Sequence, residues 1–340
     1  MAKSNVIIPI FIPHKGCPFD CVFCNQKSIS GEIKEVTLDD IKNTIDTFLK
    51  TINNDIVPQV AFYGGSFTGI DINEQTEFLK CVYEYVKQGK VSSIRLSTRP
   101  DYINREILDN LKKYGVSTIE LGVQSLNDDV LKKSNRGHTI NDVKNAVKLI
   151  KEYNFSLGIQ TMLGLPGDSK EIAINTAKEV VKLKPDCVRI YPTMVIRNTY
   201  LSKMLNEKRY KPLSLEETVD LCAKLCDIYY SNNINVIRIG LQPTDNIKDG
   251  GDVLAGPFHP SIRQLVESRM FRDRIENEII KKGVHDNLNI YVGEKYISEA
   301  VGQHKNNIKY FKKKYNLKNV KVYAVKNEGF DYLDLKSNEE

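Results

Sequence analysis

Strand-like apolar runs alternate with helix-spaced segments six times before residue 200, and no other property of this 340-residue chain constrains its fold as tightly. The runs are VIIPIFI (6–12), PQVAFYG (58–64), SSIRLST (92–98), STIELGV (117–123), FSLGIQTML (155–163) and DCVRIYP (186–192). Between them, TLDDIKNTIDTFLKTI, NEQTEFLKCVYEYVKQG, NREILDNLKKYG, NDVKNAVKLIKEYN and KEIAINTAKEVVKLK repeat apolar residues at i, i+3 and i+4, the pattern of an amphipathic helix. Asp39, Asn141 and Ser169 stand near helix starts, and Gly89 and Gly115 just past helix ends, where such residues cap. Near-continuous apolar strands joined by crossover helices imply a parallel sheet, either open and doubly wound or curled into a complete or partial barrel.

Either arrangement places function at the C-terminal ends of the strands. That is where the unusual residues gather: cysteines after the first run, GGSFTG after the second, TRPD after the third, QS after the fourth, GLPGD after the fifth and PTMVIRN after the sixth. The cysteines have the spacing C-x3-C-x2-C at Cys17, Cys21 and Cys24. Seven cysteines in the chain, three of them in one close triplet, argue against a disulfide framework and for a reducing compartment and a metal. A structural cubane iron-sulfur cluster uses four thiolates, so three leave one iron open to a further ligand. Zinc is the competing reading, because His14 precedes Cys17 by three residues and could complete a Cys3His site. A buried, metal-free triplet is the third.

CPFDCVFCNQ after one strand and AFYGGSFTGI after the next resemble the radical S-adenosylmethionine (radical SAM) superfamily. ELGVQSLNDDVLKKSNRGHT, GLPGDS and RIYPTMVIRNT resemble the radical SAM domain of the Elongator catalytic subunit family, and less closely the oxygen-independent coproporphyrinogen oxidases, over about residues 6–241. The resemblance implies a partial (β/α)6 TIM-like barrel of α/β class with a small C-terminal α/β extension. It implies a 4Fe-4S cluster held by Cys17, Cys21 and Cys24, with S-adenosyl-L-methionine chelating the open iron. One-electron cleavage of that cofactor would give a 5′-deoxyadenosyl radical that takes hydrogen from a substrate. An electron donor such as flavodoxin or ferredoxin is implied with it.

By the same resemblance, carbonyls of Tyr63, Gly64, Gly65, Ser66 and Phe67 face the methionine ammonium, and Glu120 and Gln124 contact the ribose and methionyl end. Arg136 pairs with the methionyl carboxylate, and backbone near Phe23 and Tyr191, with GLPG at 164–167, surrounds the adenine. Each has a plainer reading as well: a Gly-Gly turn, an ion pair of Glu120 with a neighbouring Lys or Arg, a solvated charge at Arg136. Gln160 and Met162 are read as cavity-lining or core. Cys81, Cys187, Cys222 and Cys226 are read as packing residues, His14 and His259 as site candidates, His138 as a weaker one and His285 as surface.

Two departures limit the carry-over. The Elongator subunit has a longer gap between its first two cluster cysteines, and its C-terminal acetyltransferase domain has no counterpart in the roughly 100 residues after the core. Net charge is +6, but Asn289 to Lys326 alone holds nine Lys against two Glu. The order strand, short helix, G-x-x-K loop (Gly302, Gln303, His304, Lys305), helix, strand resembles part of a KH RNA-binding module. The plain alternative is a small cap whose lysines form a solvated face, with Tyr310, Phe311 and Tyr315 as anchors. The expected organisation is a core at 1–241, a Gly/Pro loop and helical extension at 242–285, a basic α/β segment at 286–330 and an acidic tail at 331–340. The expected substrate is RNA, tRNA above all. The alternatives are a small molecule such as a tetrapyrrole precursor, or a non-catalytic RNA-binding protein with a structural metal. No apolar run is long enough to span a bilayer, so no membrane partner and a cytoplasmic location are expected.

Overall fold

The computed structural model describes residues 6–12, 21–25, 35–53, 55–244, 246–248, 250–284, 286–330 and 332–336. They fall into two compact units, one of residues 1–214 with 228–258 and the other of residues 215–227 with 259–340.

The first unit follows the alternation. β1 (Ile7–Phe11), α1 (Leu38–Thr51), β2 (Gln59–Tyr63), α2 (Ile72–Lys87), β3 (Ser93–Thr98), α3 (Arg105–Lys113) and β4 (Val116–Gln124) come first. After the short α4 (Asp128–Lys133) follow α5 (Ile140–Glu152), β5 (Ser156–Leu163), α6 (Lys170–Lys182) and β6 (Cys187–Pro192). Then come β7 (Val195–Ile196), α7 (Tyr200–Asn206), β8 (Asn235–Ile239) and β9 (Val253–Ala255), while α8 (Leu215–Tyr230), which precedes β8 in the chain, belongs to the second unit over Leu215–Asp227. Helix starts are fixed by side chains that accept from the first-turn N–H groups. Thr37 and Thr139 form capping boxes with Asp40 and Asp142, and Ser169 caps α6. Asp39 and Asn141 therefore lie inside the first turn rather than at the cap.

The main sheet has the order β1-β2-β3-β4-β5-β6-β8, every neighbour parallel, and forms a curled half-barrel. The seventh strand, β8, is one more than the sequence reading gives. Its run NVIRI is short, and Asn235 and Arg238 dilute its apolar signal. One face of the sheet buries Ile8, Val60, Phe62, Ile94, Leu96, Ile119, Leu121, Ile159, Val188 and Ile190 almost completely, with α1, α2, α3 and α5 packed on its strands. Each such side chain contributes about 1.5–3 kcal/mol of burial. The other face carries the alternate residues of the same strands, and on β3 to β6 these include Arg95, Ser97, Glu120, Gln160 and Arg189.

In the second unit, α9 (Ile262–Lys282) packs with β10 (Asn287–Gly293), α10 (Ile297–Val301), α11 (Asn306–Lys314), β11 (Asn319–Val325) and β12 (Leu333–Lys336). The sheet order is β11-β10-β12, with β10 parallel to β11 and antiparallel to β12. The segment expected as an acidic tail thus contains an edge strand, because Leu333 and Leu335 alternate with Asp334 and Lys336 and Leu335 enters the core. Phe311 is fully buried there, while Tyr310 and Tyr315 pack against the same core and donate their hydroxyls to Glu276. They are anchors, as the plain reading of their spacing has it.

Gly158 on β5 leaves room for the side chain of Glu120 on the neighbouring strand. A Cβ there would lie 2.8 Å from Glu120 Cγ and 3.3 Å from Cys187 Sγ. Gly158→Val is expected to cost about 1–3 kcal/mol through overpacking, seen as a fall of several degrees in the thermal unfolding midpoint.

Candidate active site at the strand ends

Cys21 and Cys24 lie in the turn after β1, with the Cys24 N–H donating to the Cys21 carbonyl at 2.9 Å; Cys17 and His14 lie outside the described residues. The turn is stitched to distant chain on two sides. Val22 N–H donates to Ser134 O at 3.1 Å, and Leu201 N–H to Val22 O at 2.7 Å. The Asn25 side chain donates to Arg197 O at 2.9 Å. Phe23 is half-buried against the small apolar cluster of Val22, Val195 and Leu201.

Arg136, just beyond α4, is buried against this turn. Its Nη1 donates to Cys21 Sγ at 3.5 Å and its Nη2 to Gly122 O at 2.8 Å. Gly122 leaves room for this guanidinium, because a Cβ would stand 2.8 Å from Arg136 Nη2 and displace it. Gln124 ends β4 in the left-handed region, φ 65°, where the β4–β5 register shifts. Such a conformation costs a non-glycine residue about 1–2 kcal/mol and directs its side chain next to Gly122.

After β2, Gly64 and Gly65 take φ of 81° and 51°. A Cβ on Gly64 would meet Ile12 O at 3.1 Å, so the turn needs glycine both for its dihedrals and for its approach to the first strand. The Tyr63 carbonyl accepts from Ile12 N–H, Ser66 O from Gly69 N–H and Phe67 O from Ile70 N–H. Of the five carbonyls expected to face a ligand, those of Gly64 and Gly65 are the two that accept no internal hydrogen bond among the described residues. Below them Ser66, Thr98 and Thr68 join hydroxyls at 2.8 and 2.5 Å, and Ser66 Oγ accepts from Arg99 N–H. This buried chain fixes the turn to the end of β3.

Glu120 is 1% exposed and accepts Arg189 Nε at 2.5 Å, Arg95 Nη1 at 3.2 Å and Gln160 Nε2 at 3.1 Å. Arg189 also donates to the Tyr63 hydroxyl at 2.8 Å. The ion-pair reading of Glu120 is thus realised. Arg95 and Arg189 are the residues sequence reasoning missed, although a lone arginine inside an apolar strand was a visible signal. Burial, with the nearby Glu120 carboxylate, raises the Tyr63 hydroxyl above its ordinary value, and Tyr191 is likewise raised by burial. Gln160 and Met162 are half-buried on the same face.

Behind β5, the carboxylate of Asp168 accepts from Gly164 N–H at 2.8 Å and Ser169 N–H at 2.9 Å, closing the GLPGD loop. Burial pushes it up to about 6. His138 is buried, its Nε2–H donating to Val123 O at 3.2 Å. His259 lies in the second unit, where its Nδ1 accepts Ser261 N–H. Cys222 and Cys226 are buried, and burial pushes both thiols up, Cys226 to about 12; Cys81 is half-buried and Cys187 sits beneath Gly158. His285 lies outside the described residues.

The radical SAM superfamily model matches residues 11–180, half the chain, and the radical SAM C-terminal domain model matches 185–272. The chain belongs to the radical SAM superfamily. It is a radical SAM enzyme of Elongator-like kinship. It is 26% identical over 257 residues to a tRNA uridine(34) acetyltransferase of Methanocaldococcus jannaschii, covering 63% of this chain and 47% of that protein. It is 35% identical over 199 residues to Elongator complex protein 3 of Homo sapiens, covering 56% and 35%. The chain thus spans half or less of the length of these curated relatives. The archaeal Methanocaldococcus infernus Elp3 structure with an N-terminal deletion shares the fold, with TM-score 0.62 at 21% identity over 87% of this chain and 68% of that one. Among the described residues no helix is long and apolar enough to cross a membrane.

The family's 4Fe-4S cluster and S-adenosylmethionine fit the residues present. Two soft thiols converge in one turn with a guanidinium on one of them. Buried beside it, Gln124 Oε1, Arg136 Nε and His138 Nδ1 have no hydrogen-bond partner among the described residues. Unpartnered buried polar atoms are costly in a finished interior, and three around one turn suit a site built to receive a polar ligand.

Burial, with Arg136 and Arg99 nearby, lowers His138 from its ordinary 6.5 to about 3. The folded chain therefore keeps it neutral while the unfolded chain takes up a proton below pH 6.5. This contribution to stability is complete above pH 6.5 and is lost as pH falls toward 3. Between pH 6.5 and 4.5 the wild type should lose about 2 kcal/mol more stability than His138→Gln, as measured by urea unfolding at the two pH values.

Proposed function

We propose that this radical SAM enzyme acts on RNA, with tRNA as the substrate class. The observation that carries the catalytic half is the cysteine turn locked to Arg136 and Gly122 at the end of β4, beside the two glycines after β2. Cys17, Cys21 and Cys24 would hold the cluster, and the Gly64 and Gly65 carbonyls, Gln124 and Arg136 would hold the methionyl end. The GLPG loop, Phe23 and Tyr191 would surround the adenine. The chemistry supplied by that pair when bound is one-electron reductive cleavage of a sulfonium. The chain's own residues bind, orient and exclude water. Arg136 donates toward Cys21 and places positive charge where an electron must arrive, and hydrogen bonds to cluster sulfurs tune their potential. The hydroxyl chain Ser66–Thr98–Thr68 holds the glycine turn rigid.

The RNA half rests on the relatives whose names carry tRNA uridine(34) modification and on the basic face of the second unit. Lys305, Lys309, Lys312 and Lys313 are exposed on α11 and the loop before it. Phosphate recognition by lysines is salt-dependent because each contact releases a counterion.

Anaerobically reconstituted, reduced protein given S-adenosylmethionine should form 5′-deoxyadenosine, detected by mass, and the Cys17→Ala, Cys21→Ala, Cys24→Ala variant should form none. Zinc in place of iron in the native protein would refute the catalytic reading. For the RNA half, tRNA affinity should fall with salt, and replacing Lys309, Lys312 and Lys313 by Gln should reduce the log–log slope by about 2. An unchanged slope would count against this surface.

A further inference from the structure

The seven strands of the main sheet carry three arginines, Arg95, Arg189 and Arg238, against one acidic residue, Glu120. All four belong to the face opposite the helices. Arg95 and Arg189 meet Glu120 directly, and Arg238 pairs in register with Arg189. Among strand residues that face thus carries three guanidiniums and one carboxylate. The arginine side chains flanking Glu120 are 11% exposed, and Arg95 Nε–H is buried without a hydrogen-bond partner among the described residues. Tyr63, Gln160 and Tyr191 around them keep partial exposure, so the group is reached from the half-barrel's open side.

A structural ion pair matches charge to charge, because an uncompensated buried cation is costly. Here two guanidiniums share one carboxylate and a donor is left over. The unpartnered polar atoms that would receive the cofactor, on Gln124, Arg136 and His138, lie at and beyond the end of β4, whereas Arg95 and Arg189 sit three residues down from Thr98 and Pro192. At about 3.3 Å per residue this is roughly 10 Å deeper.

We propose that Arg95 and Arg189, held apart by Glu120, form a subsite for an anionic oxygen group of the substrate, a carboxylate or a phosphate, entering the half-barrel below the cofactor. Glu120 ties up part of both guanidiniums and so competes with the ligand for them, while the Arg95 Nε donor stays unused. The proposal rests on the radical SAM reading, and its failure is separable from the failure of that reading, because substrate-free 5′-deoxyadenosine formation tests only the latter.

The test uses oxidised, cluster-loaded full-length protein saturated with S-adenosylmethionine. It is titrated with inorganic phosphate and, separately, with acetate at constant ionic strength in chloride, and apparent affinities are read from thermal unfolding midpoints. One anion should stabilise the protein specifically, and the stronger of the two identifies phosphate or carboxylate as the source. Arg95→Gln should weaken that effect at least tenfold, Arg95→Lys should keep it within about threefold, and Glu120→Gln, which removes the competing carboxylate, should strengthen it. The Lys312→Gln, Lys313→Gln variant should leave it unchanged. Equal affinity in wild type and Glu120→Gln would overturn the proposal even if Arg95→Gln does not fold. Loss of the effect in the lysine variant would assign it to the surface instead. An effect seen without S-adenosylmethionine but absent from the saturated protein would assign the guanidiniums to the cofactor's own carboxylate. Either result overturns the subsite.

Discussion

Parallel pairing is the constraint on which the rest of this structure depends. Two parallel neighbours cannot be joined by a tight hairpin, so each strand must be followed by a crossover that carries the chain back. Here most of those crossovers are helices, and they lie on one face of the sheet, giving the strands the apolar residues that face them. The same geometry delivers every strand-to-helix loop to one edge. The cysteine turn, the glycine turn, Gln124 and the GLPGD loop are neighbours for that reason, despite being spread over about 150 residues of sequence.

With one face committed to helices, the other is free of the demand to be apolar. It holds Ser97, Glu120, Gln160, Arg95 and Arg189 in a hydrogen-bonded network that is largely buried but incomplete. Glycines make this possible. Gly158 gives Glu120 its space and Gly122 gives Arg136 its space, so two absent side chains on adjacent strands organise two charged ones. Charges in such a setting act at longer range and with greater strength than on a wet surface.

The strand and helix order was legible in the sequence because both periodicities run through long, uninterrupted segments. Boundaries of β1 to β6 fall within a residue or two of the apolar runs. What failed was local. Thr37 and Thr139 cap their helices two residues ahead of Asp39 and Asn141, in capping boxes with Asp40 and Asp142, and β8 and β12 are short strands whose polar residues mask the alternation. The cluster cysteines were legible from spacing, although Cys17 lies outside the described residues. The partners of Glu120 were not, since no local pattern brings Arg95, Glu120 and Arg189 together. Only the register of β3, β4, β5 and β6 does so. The Gln124 conformation was equally invisible, because it arises from a register shift between two strands.

The contact between Arg136 and Cys21 bridges 115 residues. Closing so long a loop costs conformational entropy that neighbouring contacts must offset, so the wall behind Cys21 depends on the strands and helices between the two residues. Until β4 and α4 are in place, the cysteine turn has no guanidinium beside it and no Ser134 carbonyl to hold Val22. During synthesis Cys21 therefore emerges well before Ser134, Arg136 and Leu201, which enclose its turn. That order leaves the turn's thiols open to delivery of iron and sulfide while the chain is still growing, and equally open to oxidation if delivery is late.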